Sequence, residues 1–191
     1  RGDGILVPSP DSLRKTPGYV VDSVFPPEEA LRRFQATVNG PHPARLTGGA
    51  PDPETLLRRY WIALVRQDTT AITQLVVSHA EFAYLYLPES APFASGMQPS
   101  AAWVLYESAT GRGLSRALRE ATSRETARRD PASPGSAITA TICRDQGRDE
   151  GKSRTFGPCG VILRAAQRTD TLWIAATLIR RDGVVKFLGL D

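Results

Sequence analysis

A segment rich in proline and glycine divides this chain into two halves with different hydrophobic patterns. Residues 130–135 read Asp-Pro-Ala-Ser-Pro-Gly, a composition that ends both helices and strands. Before this segment apolar residues recur at helical spacing, and after it they alternate with a period of two. The sequence therefore predicts an α+β fold, in which N-terminal helices pack on a C-terminal four-stranded antiparallel meander.

The strands are predicted from alternation and from one turn signal. The predicted strands cover residues 137–143, 159–164, 171–180 and 184–190. Asp182-Gly183 lies between the last two, and Asp-Gly between alternating segments favours a tight hairpin. Residues 171–180 are apolar on both alternating faces, so we expect this strand to be central in the sheet and covered on both sides.

The helical half carries clear start signals. Asp52 and Pro53 predict the start of the strongest helix, as N-cap and first helical residue. Residues 78–81, Ser-His-Ala-Glu, match a capping box. Residues 99–128 form a predicted helical insertion that Thr110–Gly113 interrupts, because two glycines in four residues weaken a helix.

Residues 1–50 are predicted to form an extended arm with one short helix, ahead of a domain over residues 51–191. The arm is rich in proline, which limits the entropy lost when a segment binds along a groove. We expect it to contact a neighbouring protein subunit, and the alternative is that it packs on its own sheet. The residues expected at this contact are Ile5, Leu6, Val20, Val21 and Phe25.

Cys143 and Cys159 are the only cysteines in the sequence, and neither belongs to a Cys-x-x-Cys pair. This spacing disfavours a zinc site or a redox dithiol. Both lie in segments expected to pair as a hairpin, so we predict a disulfide, with two unrelated buried thiols as the alternative. Such a disulfide favours the periplasm or another exported location over the cytoplasm.

Composition excludes some partners. Hydrophobic residues make up 41% of the chain, which suits one globular domain, and the net charge is +4. Arginines are scattered among acidic residues instead of clustering, so no nucleic-acid partner is expected. Apolar runs reach six residues, far below the ~18–20 that a membrane span needs. The start at Arg1 fits removal of a signal or anchor segment, or the ordered part of a longer chain; either is compatible with export.

Residues 52–68 and 172–187 resemble the first core helix and the last hairpin of the NTF2-like superfamily. Its members are cone-shaped domains of the SnoaL-like and ketosteroid-isomerase-like kind, and the resemblance covers roughly residues 50–190. It implies a pocket inside the cone, where enzymatic members use an Asp or His base and often a Tyr donor. The insertion over residues 99–128 departs from the family pattern and alters the expected pocket.

The candidate pocket residues are His79, Glu81, Tyr84, Tyr86 and Glu107. Residues two apart on a helix do not face one another, so His79 and Glu81 make a poor acid–base pair. Tyr84 and Tyr86 suit half-buried packing positions. Glu107 lies on a mostly apolar helix and is expected to point to water, with a role as a base as the alternative. We therefore expect no catalytic residue, and the sequence indicates no metal or cofactor.

The sequence favours a non-catalytic accessory subunit. It would dock onto a larger protein complex, either soluble or membrane-embedded, through its arm and helical insertion. The alternative is a small-molecule-binding protein or an isomerase-like or hydrolase-like enzyme that uses the cone pocket. A roomy interior with a desolvated carboxylate or histidine would favour the alternative. An interior filled by Trp61, Trp103 and Trp173 would favour the subunit.

Overall fold

The computed structural model describes residues 25–129, 137–145, 147–165 and 168–190. Helices precede an antiparallel sheet, so the predicted α+β class is confirmed. The helical elements are α1 (Pro27–Ala36), α2 (Pro53–Arg66), α3 (Thr69–Leu75), α4 (His79–Glu81), a π-helical turn (Phe82–Tyr86), a 3-10 turn (Leu87–Glu89), α5 (Ala91–Ala94) and α6 (Pro99–Arg129). The strands are β1 (Ala137–Cys143), β2 (Arg148–Glu150), β3 (Ser153–Phe156), β4 (Cys159–Ala165), β5 (Arg168–Arg181) and β6 (Val184–Leu190).

The sheet has six strands where the sequence predicted four. The additional pair, β2 and β3, forms a hairpin between the two cysteines, in a stretch where the sequence predicted no strand. β3 pairs with residues 178–180 of β5, on the edge that β4 occupies over residues 168–175. These strands were missed because they are short and charged, with no apolar alternation to mark them.

β5 is the central strand, as predicted. β4 and β3 pair along one edge of it, and β6 pairs along the other. Adjacent residues Leu178 and Ile179 are both fully buried and belong to different hydrophobic clusters. Since successive side chains of a strand point to opposite faces, both faces of the sheet are covered here.

The helix starts follow the predicted chemistry. Asp52 caps α2 by accepting a hydrogen bond of 2.7 Å from the Thr55 amide, and Pro53 is the first helical residue. Gln67 ends α2 in the left-handed conformation, and Asp68 caps α3 through the Ala71 amide. The capping box of residues 78–81 is present at α4.

α6 runs without interruption, so the predicted break at Thr110–Gly113 is wrong. Its 31 residues span about 46 Å at the usual helical rise. Gly113 faces β6, where a Cβ atom would lie 2.5 Å from the carbonyl carbon of Leu190. The glycine therefore allows close helix–strand contact, which offsets its low helix propensity. Within the described ranges, α6 and the other helices lack an apolar stretch of the length needed to cross a bilayer.

Two hydrophobic clusters form the core. The α2 cluster centres on Leu57, Tyr60, Trp61, Leu64, Val161, Ile174, Leu178 and Phe187. The α1 cluster centres on Phe34, Val77, Phe82, Leu87, Ile179 and Leu188. α6 contributes to both, through Ala117 and Ala121 to the α2 cluster and through Ala102 to the α1 cluster.

Cys143 and Cys159 form the predicted disulfide. The two residues lie directly opposite each other in the antiparallel pairing of β1 and β4. The bond closes a stretch that includes the β2–β3 hairpin, with a sequence separation of 16. The disulfide therefore restrains the β2–β3 hairpin, which the sequence did not predict.

Candidate ligand cavity

A cavity of about 730 Å³ lies between the helices and the strands β2, β3, β5 and β6. Its helical wall comes from the π-helical turn, the segment around α5 and the first half of α6. The apolar lining includes Phe82, Leu87, Met97, Ala102, Leu105 and Leu188. This volume lies within the range of small-molecule sites, which are usually concave and mostly apolar.

The π-helical turn brings two aromatic rings to the cavity. Phe82 and Tyr86 both line it, with ring centroids 5.5 Å apart. Tyr106 from α6 lines the same space, and its ring centroid is 5.0 Å from that of Phe82. Three aromatic rings on two elements therefore share one wall of the cavity. Single-turn π-helical segments are often found at functional sites.

A buried arginine anchors the opposite wall. Arg181 donates hydrogen bonds to the Leu85 carbonyl, to Glu89 Oε2 at 2.9 Å and to the Ser153 hydroxyl. Glu89 Oε2 also accepts a hydrogen bond of 2.8 Å from the Lys152 amide. These contacts hold the β2–β3 hairpin against the helical half, and thereby fix the strand wall of the cavity.

Two charged residues of β2 line that wall. Arg148 and Glu150 are two residues apart on one strand, so their side chains lie on the same face. Arg148 is exposed, whereas Glu150 is half-buried. The Glu150 Oε2 atom is buried and accepts no hydrogen bond from any residue that the structure describes. A buried carboxylate oxygen that has lost water without gaining a donor destabilises the folded state, so the Glu150 carboxylate is an unsatisfied acceptor at the cavity wall.

The tyrosines at the cavity keep their protons near neutral pH. Burial raises the pKa of Tyr86 to about 12, and the negative charge of Glu150 contributes to this rise. Burial also raises the pKa of Tyr106, whose hydroxyl donates a hydrogen bond of 2.6 Å to the Val77 carbonyl. This hydrogen bond orients Tyr106, and the hydroxyl proton is therefore not free to be donated to a ligand.

The structure does not gather the candidate pocket residues into one site. Tyr86 lines the large cavity. Glu81 is buried elsewhere, in an ion pair with Lys186. Glu107 is exposed on α6. Tyr84 is half-buried and donates a hydrogen bond to the Gln35 carbonyl.

His79 lies in a second, smaller cavity of about 380 Å³. Its ring stacks on Trp103 with centroids 4.2 Å apart, and it also contacts Phe34 at 5.3 Å. The buried Nε2 atom has no hydrogen-bond partner among the described residues. Aromatic packing therefore accounts for the position of His79, away from Glu81 and Tyr86.

The three tryptophans leave the large cavity unfilled. Trp61 packs in the α2 cluster, Trp103 contacts His79, and Trp173 lies under the guanidinium of Arg144 at 4.1 Å. None of these three lines the large cavity.

Phe25 is the one predicted arm contact that falls within the described residues. The Arg33 guanidinium carbon lies 3.7 Å from the centroid of its ring, so Phe25 packs on α1 of the same chain. Ile5, Leu6, Val20 and Val21 lie outside the described residues.

Sequence reasoning missed Arg148 and Glu150, which lie on the unpredicted strand β2. A signal was present in the turn that follows. Glu150 pairs with Ser153 across Gly151-Lys152, and Gly151 has φ of 59°. A glycine in a two-residue connection is typical of a tight hairpin. This turn is a local indication of a hairpin, but it does not place residues 148 and 150 at the cavity wall.

Comparison of the chain with protein-family models, curated proteins and solved structures finds no match. The NTF2-like resemblance therefore stays a prediction, since it depends only on the residue pattern of one helix and one hairpin. Any ligand of the cavity has to be inferred from the residues that line it.

Proposed function

We propose that this domain binds a small, largely apolar molecule in the large cavity. The observation that supports this is a mostly apolar space of about 730 Å³ that none of the three tryptophans occupies. A space of this size fits a drug-sized ligand. Burial of such a ligand would contribute roughly 25 cal/mol for each Å² of apolar surface removed from water.

Binding is favoured over catalysis by the state of the titratable groups. A general acid or base works best with a pKa near the operating pH. The pKa of Tyr86, about 12, is far above neutrality, and the Tyr106 hydroxyl is held by Val77. This leaves Glu150 without a partner that exchanges protons near pH 7, so an isomerase-like or hydrolase-like reaction is the less supported alternative.

The test is the binding of N-phenyl-1-naphthylamine, an apolar dye whose fluorescence rises in apolar sites. We expect saturable binding with one site per chain. Ala102 is buried and lines the cavity, whereas Ala101 is exposed on the same helix. A102L should therefore weaken dye binding at least tenfold, and A101L should leave it unchanged. Equal binding by the two variants would contradict the proposal.

A second pair of variants guards against misfolding of A102L, because added volume in a packed site can destabilise. Leu105 lines the large cavity, and the neighbouring Val104 lines the smaller one instead. Leu105 and Val104 are 60% and 57% exposed, so polar replacements should be tolerated. L105Q should weaken dye binding severalfold, whereas V104Q should not.

The accessory-subunit role is a second proposal, favoured by the same two residues. Val104 and Leu105 place adjacent exposed apolar side chains on α6, within the predicted insertion. Exposed apolar surface of this kind can mark a contact with a protein partner. The disulfide is consistent with an exported location for such a complex.

A photo-crosslinking side chain at position 104, introduced in the native host, tests the accessory role. We expect one protein adduct of defined stoichiometry, which the purified partner should reproduce. The control position is Ile142, also exposed and apolar but on β1. Equal labelling from both positions, or no protein adduct, would count against a docking surface on α6.

A further inference from the structure

We propose that the ligand of the large cavity carries a protonated amine on an apolar body, and that Glu150 binds this ammonium group. The inference depends on the proposed function, because it names the ligand class for the same cavity. It is drawn from three features of the cavity wall: one carboxylate, three aromatic rings and the separation of charge along β2.

The carboxylate provides the strongest argument. Glu150 lines the cavity, and its buried Oε2 accepts no hydrogen bond within the described part of the chain. Buried polar atoms nearly always have a partner in folded proteins. An ammonium group carries three donors and a positive charge, so it would pair with the Glu150 carboxylate through a charge-assisted hydrogen bond.

The aromatic rings favour the same kind of group. Phe82, Tyr86 and Tyr106 line the cavity together and are in mutual contact through Phe82. The faces of aromatic rings attract cations, and aromatic clusters are used elsewhere to recognise ammonium ligands. Where a ring face meets the ligand, an alcohol gains little and a carboxylate is repelled.

Arg148 raises the opposite possibility, an anionic ligand. Arg148 is exposed, however, so its charge is well hydrated and screened. Glu150 is less accessible to solvent than Arg148. Its negative charge acts beside Tyr86, where it contributes to the raised pKa of that tyrosine. The electrostatic environment beside the rings is therefore set by Glu150, and it favours a cation.

The experiment compares three ligands of equal chain length. Decylamine, decanol and decanoate would compete with N-phenyl-1-naphthylamine at pH 7, each below its micellar concentration. We expect decylamine to bind at least tenfold more tightly than decanol, and decanoate to bind most weakly. This comparison uses the unmodified protein, so it does not depend on the folding of any variant.

A matched pair of variants identifies the residue. E150Q should weaken decylamine binding about tenfold and leave decanol binding unchanged. D149N removes the same charge from the adjacent residue, whose exposed side chain forms an ion pair with Arg154 at 3.5 Å. Because Asp149 lies on the opposite face of β2, D149N should keep the preference for the amine.

The possible failures are distinguishable. If the dye binds but the three ligands compete equally, the amine inference is wrong and the proposed function stands. If decanoate competes best, Arg148 recognises the ligand and the inference is overturned. If neither the dye nor any of the three ligands binds, both the inference and the proposed function fail.

Discussion

Lys186 Nζ lies 2.7 Å from Glu81 Oε2, and the two side chains are only 3% and 2% exposed. Both members of the pair make further hydrogen bonds. Glu81 accepts hydrogen bonds from the amides of Ser78 and Thr47, and Lys186 donates a second bond to the Thr47 carbonyl. The pair thus joins three parts of the chain: the capping box, the segment before α2, and β6. Glu81 holds the fold together, away from the cavity.

Replacement of Glu81 by Gln should destabilise the protein by about 3–5 kcal/mol, because it leaves a buried lysine charge unpaired. Urea unfolding followed by circular dichroism measures this change. The control is E54Q, which breaks an exposed ion pair with Arg58 one turn away on α2. That variant should lose less than about 1 kcal/mol. Similar losses in the two variants would contradict a special role for the buried pair.

The same carboxylate should make stability depend on pH. Burial alone would raise the pKa of Glu81, but hydrogen bonds from Lys186, Ser78 and Thr47 and the charge of Lys186 lower it overall. A lowered pKa in the folded state stabilises the protein fully above the unfolded-state value, which is about 4.3. This stabilisation is lost as the pH falls from there through the folded-state pKa.

Unfolding curves of the unmodified protein and of E81Q between pH 3 and pH 7 isolate this contribution. We expect the difference in unfolding free energy between them to be constant above about pH 5 and to shrink below about pH 4.3. Other carboxylates affect both proteins alike and cancel in the difference. A difference in unfolding free energy that grows as the pH falls would show that folding raises the pKa of Glu81 instead of lowering it.

Gly113 and Gly111 should respond to alanine in opposite directions. A Cβ atom at Gly113 would overlap the Leu190 backbone, whereas one at Gly111 has no atom within 4 Å in the described structure. G113A should lose about 1–3 kcal/mol through overpacking. G111A should gain up to about 1 kcal/mol from helix propensity. Thermal unfolding measures the stability of both variants. If G113A and G111A were equally stabilised, α6 would not approach β6 as closely as the structure shows.

Removal of the disulfide should cost about 3 kcal/mol, from the chain-entropy relation for a loop of this size. The double variant C143A/C159A should match the dithiothreitol-treated protein in stability and should itself be insensitive to dithiothreitol. Neither cysteine lines the large cavity. Dye binding by the folded double variant should therefore be unchanged, and a weaker affinity would indicate that the disulfide shapes the cavity.

Local chemistry explains what the sequence could predict. Asp52, Asp68 and Ser78 cap helices because their side-chain oxygens reach the amide three residues ahead, within the span that a sequence pattern covers. The Asp-Gly turn at residues 182–183 and the pairing of the two cysteines depend equally on short segments. These features need no knowledge of the tertiary structure.

Long-range contacts explain what the sequence did not predict. The continuity of α6 depends on Gly113 meeting Leu190, which is 77 residues further along the chain. β2 and β3 depend on Arg181 and Glu89, which lie outside the hairpin. The position of Glu150 at the cavity follows only once that hairpin is in place. Such contacts have no signature in local periodicity, so the cavity wall was the least predictable part of the fold.

The passage of α6 from one hydrophobic cluster to the other has a dynamic consequence. Because α6 packs in both clusters, a restraint on one part of the helix also restricts the motion of the other. A molecule that settles against Ala102 should therefore slow amide hydrogen exchange around Ala121 as well, more than 25 Å away at the helical rise. The two hydrophobic clusters should then open to solvent as one cooperative unit. This coupling requires no contact between the ligand and the residues of the α2 cluster outside α6.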